Sequence, residues 1–219
     1  MKKPGLQILL MLGLAGIPLR AADVFDQAAT NQPPPGWEIA ITGAGQPVWT
    51  VQAESPAAPT NRVLVQSGLT PRPSFPLCVR QEPRLQDGWV SVRFKTVSGE
   101  MDQAAGVVWR YQNATNYYIC RANAREDNVV LYKVQNGRRT ALPLVGRTEG
   151  YGVEHKVAPQ TWHTLRVAFR GPRFTVFFDG QKLFEVEDTT FTQAGRVGLW
   201  TKADSVTQFD DFDWGEASP

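Results

Sequence analysis

Three groups of residues in this chain carry side chains suited to chemistry. The first combines rings with directed donors: Trp109-Arg110, Tyr118, Arg121, Asn123, and Trp200 with Lys202. Rings stack on the apolar patches of pyranose-like ligands, and Arg, Asn and Lys hydrogen-bond their hydroxyls. Strand alternation from Gly106 puts Val107, Trp109 and Tyr111 on one face and Val108 and Arg110 on the other. With Trp109 in the core, Arg110 points to an open sheet face. Arg121 shares parity with Tyr117 and Ile119 and opposes Tyr118 and Cys120, so register decides which set faces outward. Binding contacts are therefore expected at Arg110, Tyr118, Arg121, Asn123, Trp200 and Lys202.

The second group could exchange protons. His155 and Glu149 lie in a long stretch from Leu142 to Gln160 that reads as a loop, and Asp127 sits in an earlier turn. Each is a candidate acid or base. His163 shares a face with Leu165, Val167 and Phe169, which reads as a hydrogen-bonded histidine at the edge of the core. No Ser-His-Asp set is evident, and two isolated histidines do not make a metal site.

The third group is acidic. Asp26 near the start and Asp210 and Asp211 near the end could supply oxygen ligands to Ca²⁺ if the first and last strands are neighbours. No Asp-x-Asp-x-Asp-Gly loop is present. The competing reading is a solvated acidic edge that blocks sheet-to-sheet association. No cofactor is required by any of the three groups.

The elements that position these residues read as strands. Trp89–Lys95 alternates, with Val90, Val92 and Phe94 on one face. Similar runs cover Gly106–Tyr111, Tyr117–Arg121, Asn128–Val134, Thr161–Arg170, Phe174–Phe178, Lys182–Val186, Arg196–Thr201 and Val206–Trp214. Asn136-Gly137 and Asp179-Gly180 are two-residue hairpin signals. No stretch holds a helical apolar stripe over three turns. The expectation is an all-β, two-sheet antiparallel jelly-roll sandwich.

The chain begins Met1-Lys2-Lys3-Pro4, continues through an apolar run from Leu6 to Leu19, and reaches Arg20-Ala21-Ala22. This is the pattern of a cleaved signal peptide over residues 1–21, which places the mature protein in a periplasm or outside the cell. Residues 22–36, with Pro33-Pro34-Pro35-Gly36, read as a lead and linker before one domain over 37–219. Without the first 21 residues, 20 basic residues face 21 acidic ones. That balance excludes a nucleic-acid-type basic surface, and no later run is long and apolar enough for a membrane helix. Oligomeric state is not legible. Cys78 and Cys120 are the only cysteines. In an oxidising compartment they form either one disulfide or two separate buried thiols.

Two stretches carry a family resemblance. Gln160–Val167 followed by Phe174–Gly180 resembles the strand-hairpin signature of laminin-G-like and concanavalin-A-like jelly rolls. Gly195–Ser205 followed by Phe209-Asp210-Asp211-Phe212 resembles the ending of secreted bacterial proteins of the 3-keto-disaccharide hydrolase-like family, and Gly106–Tyr111 and Asn116–Tyr118 fit its middle strands. The likeness covers residues 85–214. It implies two antiparallel sheets whose concave face holds glycans in relatives, and it implies activity on glycosides only at the level of the family name. Laminarinase-type relatives of this fold use Glu-x-Asp-x-x-Glu; here Glu100 and Asp102 match and the last position is Ala105, so the paired-carboxylate motif is not present. Three readings remain: a carbohydrate-binding module, a 3-keto-disaccharide-cleaving enzyme with Arg110 or Lys202 polarising the ketone, and a laminin-G-like interaction domain.

Overall fold

The computed structural model describes residues 25–148 and 150–217. The expected signal peptide, Asp23 and Glu149 lie outside them. A 3₁₀ turn, Phe25–Gln27, precedes the strands β1 (Trp37–Thr42), β2 (Trp49–Ser55), β3 (Ala58–Gln66), β4 (Phe75–Leu85), β5 (Gly88–Ser98), β6 (Ala104–Asn113), β7 (Asn116–Asn123) and β8 (Asn128–Gln135). Next come β9 (Arg138–Ala141), β10 (Val153–Glu154), β11 (His163–Arg170), β12 (Arg173–Phe178), β13 (Gln181–Glu187), β14 (Gly195–Trp200) and β15 (Val206–Glu216).

They form two antiparallel sheets, ordered β1-β4-β14-β6-β7-β8-β10 with β9 also on β8, and β13-β12-β11-β5-β15-β3-β2. The expected all-β sandwich is thus the fold. Both two-residue hairpins use positive φ at each central residue: 51° and 79° at Asn136-Gly137, 47° and 78° at Asp179-Gly180. This is the turn whose twist matches the flanking strands. Among the described residues no helix is long and apolar enough to cross a membrane.

Four strands before Trp89 were not legible in the sequence. β4 carries Pro76 and Pro83, and β3 opens Ala58-Pro59-Thr60-Asn61, so neither reads as a strand by composition. Residues 25–32 pack onto these strands. Phe25 is buried against Trp37, and Gln32 O accepts from Val51 N.

The main core lies between the sheets. Val90, Val92 and Phe94 face it, as do Leu165, Val167 and Phe169. His163 keeps to its edge, bonded to Asp179 and to Ala158 O. The eight-stranded sheet has a second apolar layer on its outer face, from Phe75, Leu77, Val108, Tyr117, Ile119, Val130, Tyr132, Val134 and Trp200. Both faces of its central strands are therefore buried.

Cys78 and Cys120 are unpaired. The register runs Cys78, Leu199, Val107, Cys120 across β4, β14, β6 and β7. Three strand spacings, about 14 Å, separate the two thiols, and a disulfide needs Cα atoms within about 7 Å. Of the two alternatives the structure takes separate thiols, and burial raises the pKa of both.

Candidate functional site

Alternation fails at one place in β6. Arg196 pairs with Tyr111 and Gly198 with Val108, so β6 spends one more residue than β14 between the same two points. Arg110 is that extra residue, with φ 46°. This β-bulge reverses the parity of the residues after it. Val107 and Trp109 face the main core, whereas Tyr111 joins the outer layer.

Arg110 consequently does not point to the open face. Its guanidinium is buried, and donates to Gln86 O, Phe191 O, Gly171 O and Asp87 Oδ1 at 2.7–3.1 Å. Burial lowers its pKa, partly offset by Asp87. Tyr118 is on the same inner side. Its ring stacks on Trp109, its hydroxyl donates to Asp188 at 2.6 Å, and it accepts from Phe191 N. Both residues tie loops to the sandwich and have no free polar edge toward a ligand.

Arg121, Asn123, Trp200 and Lys202 are on the outer side. β7 directs Arg121 and Asn123 there with Tyr117 and Ile119, and Trp200 pairs with Gly106, whose partner is Arg121. The centre of the cluster is Asp102, fully buried in the loop between β5 and β6. Its carboxylate accepts from Lys202 Nζ at 2.8 Å, Asn123 Nδ2 at 3.1 Å, and Arg72 Nε and Nη2 at 3.0 and 2.7 Å. A second acid, Glu126, accepts from Arg121 Nη2 at 2.7 Å and Asn123 Nδ2 at 3.0 Å, and lies 3.7 Å from Lys202 Nζ. Arg121 also donates to the hydroxyls of Tyr132 and Tyr151 at 3.1 and 3.0 Å and to Asn128.

The electrostatics are mutual. Burial would lower the Arg121 pKa, but Tyr132, Glu126 and Tyr151 hold it above its ordinary value. Burial would raise Glu126, but Arg121, Asn128 and Lys202 hold it below. Burial raises the Tyr132 hydroxyl. Lys202 and Glu126 keep part of their side chains exposed, so the network meets solvent there.

Trp200 lies beside this cluster, but its indole is fully buried. Phe75 stacks on it at 5.2 Å, and Arg139 lies over it at 5.7 Å. It is a floor, not an open stacking surface.

Of the acid–base candidates, Asp127 and His155 line one cleft of about 410 Å³ with Glu126, Glu154 and Lys156. Asp127 accepts from Lys156 Nζ and Val157 N, which hold its pKa below the usual range. His155 packs edge-on against Phe178 at 4.7 Å. The acid that reaches from this cleft into the cationic cluster is Glu126, one residue before the expected one.

The acidic ends do come together. Asp26 accepts from Arg62 N, and Asp26 and Asp211 both add to the rise of Asp210, whose pKa burial pushes up to about 6. Asp211 turns to Arg93 at 3.0 Å, and Asp210 accepts from Asp211 N. Among the described residues no group of three or more carboxylates, histidines or thiols converges on a metal position.

Sequence reasoning missed Asp102, Glu126, Tyr132, Tyr151, Arg72 and Arg139. Tyr132 was readable from the parity of Asn128–Val134. Asp102 was visible only as part of an incomplete carboxylate motif, and Arg72 stands in a stretch with no strand signal.

Known proteins share this architecture. The family described as the 3-keto-alpha-glucoside-1,2-lyase-like domain matches residues 23–213. A search of curated proteins gave no match. Among solved structures, the carbohydrate binding module CBM66 from Bacillus subtilis is similar, with TM-score 0.64, 16% identity, and 86% of this chain and 99% of that chain covered. The cellulose induced protein Cip1 gives TM-score 0.64 and 10% identity over 90% and 98% of the two chains. A putative glycosyl hydrolase from Parabacteroides distasonis gives TM-score 0.50 and 12% identity over 84% and 89%. At these identities the likenesses concern the fold.

Proposed function

Since the chain belongs to the 3-keto-alpha-glucoside-1,2-lyase-like family, we propose that it is a secreted or periplasmic protein that binds a carbohydrate on the outer face of its eight-stranded sheet. The observation that carries this reading is the polar network of Lys202, Asn123, Arg121, Glu126 and Tyr151 beside an aromatic floor. Its accessible members, Lys202, Glu126 and Tyr151, offer a fixed donor, a fixed acceptor and a phenol that can do both, which is what vicinal hydroxyls require. CBM66, a carbohydrate binding module by name, shares the fold. The test is a melting-temperature screen of the purified protein against neutral glycans and 3-keto-disaccharides. A ligand 100-fold above its Kd adds about 2.7 kcal/mol of stability. Lys202→Met should lose the shift; no shift with any saccharide overturns the reading.

A second reading is favoured by the family description together with the position of Glu126. On a 3-keto-glycoside, Glu126 would take the proton from the carbon between the ketone and the anomeric centre. The electron pair would move to the ketone oxygen, facing Lys202, and return to expel the glycosidic oxygen, which leaves with a proton from solvent. The ionised state of Glu126 suits a base. Consumption of the keto-sugar that stops in Glu126→Gln, with binding retained, supports elimination; intact recovery of the sugar leaves a binding protein.

A further inference from the structure

Resting on that saccharide reading, the structure points to the charge of the ligand. Arg139, in β9, is paired in register with Val134 and lies on the outer face. Its guanidinium carbon is 4.4 Å from the Tyr132 ring centre, 4.7 Å from Phe75 and 5.7 Å from Trp200. Arg72, Arg121, Lys202 and Arg196 each hold a carboxylate. Among the described residues Arg139 holds none: its guanidinium lies over rings, its charge acts on the Tyr117 and Tyr132 hydroxyls, and its Nη1 is buried without a protein hydrogen-bond partner.

A guanidinium in this state is stripped of water on one side, and its Nη1 is satisfied by no protein group. Rings offset part of the lost hydration, but a desolvated cation with no counter-ion favours any anion that can reach it. Arg121 contacts the same Tyr132 ring at 5.8 Å, so the two guanidinium groups lie within about 10 Å of each other. Like charges so near raise the gain from an arriving negative group. We propose that the saccharide carries an oxyanion, a carboxylate or a sulfate, and that Arg139 receives it. Arginine suits either group, because its fork matches both in bidentate geometry.

The test measures binding by titration calorimetry with a hexuronate trisaccharide, its neutral methyl ester, a sulfated trisaccharide, its desulfated counterpart and free inorganic sulfate. The expected result is that the carboxylated or the sulfated sugar binds about 10- to 100-fold more tightly than its neutral partner, the range for one charge-assisted contact. Which of the two shows the preference identifies the oxyanion. Arg139→Met keeps an apolar cover over the rings and should abolish the preference, so that charged and neutral sugars bind alike. Arg139→Lys should keep part of it. Equal binding of charged and neutral sugars, or a preference that survives in Arg139→Met, overturns this proposal and leaves the saccharide reading standing. Free sulfate binding with no preference among the sugars also overturns it, by reducing Arg139 to a simple anion contact. Absence of binding by every saccharide overturns both.

Discussion

Lys202 Nζ lies 2.8 Å from Asp102 Oδ1, and that carboxylate is sealed from solvent while the lysine is not. The pair joins the loop after β5 to the loop after β14, so the outer-face network depends on it. Asp102→Asn leaves Lys202 and Arg72 beside a neutral amide. Both cations reach solvent, so the cost falls below that of a fully buried pair, at about 1–3 kcal/mol. Urea unfolding should show a lower midpoint with an unchanged slope. Lys202→Met, which leaves Asp102 its bonds to Arg72 and Asn123, should cost distinctly less.

Arg110 should behave as a structural residue. Replacement by Ala removes four donors and leaves their acceptors, three of them carbonyls, without the partner they have in the parent. A loss of about 3 kcal/mol or more is expected, since each orphaned buried acceptor costs about 1–3 kcal/mol. Arg110→Lys should be nearly as harmful, because one ammonium cannot span the four acceptors. In the folded fraction of either variant, glycan affinity should equal that of the parent. A selective loss of affinity at unchanged stability would return Arg110 to the binding face.

Much of the sandwich was readable from the chain, and the reasons are local. Val90, Val92 and Phe94 alternate without a break, as do Leu165, Val167 and Phe169, and their strands emerge as expected. β4 was hidden by its two prolines, and β9 by its shortness. The residues expected to bind divide between the two faces of the sheet. Arg121, Asn123, Trp200 and Lys202 do gather on one face. Arg110 was misplaced because one inserted residue in β6 reverses a parity argument, and nothing in Trp109-Arg110-Tyr111 announces a residue at positive φ. Tyr118 was left open by its parity, and register put it inside.

Stability should depend on pH with opposite signs in two windows. Burial raises Asp210 to about 6, so the folded state binds its proton more tightly than the unfolded chain does. Stability from this group is present at low pH and falls as pH rises from about 4 to 6. Glu54 is lowered to about 2 by bonds from Trp162, Lys95 and Asn61. Its contribution is present above its ordinary pKa and is lost as pH drops from about 4.5 to 2. Chemical unfolding across pH 2–8 should show a maximum at pH ~4, where the two windows meet. Asp210→Asn should remove the decline on the alkaline side.

The two thiols should be inert until the protein unfolds. A thiol reagent should label neither Cys78 nor Cys120 in buffer and both in denaturant, and a reducing agent should not move the melting temperature. A reductant-sensitive melting curve would contradict the three-strand separation of the two cysteines.

The eight-stranded sheet is packed on both sides, with the outer aromatic layer as a second lining. Amides in β6, β7 and β14 have no wet face from which to open, so their hydrogen exchange should require unfolding of the whole molecule. The strands that carry Arg121, Asn123 and Trp200 are then among the last parts of the chain to lose their shape. A ligand on this face would meet a scaffold whose geometry is already set, and adjustment on binding would fall to the half-exposed side chains at its rim.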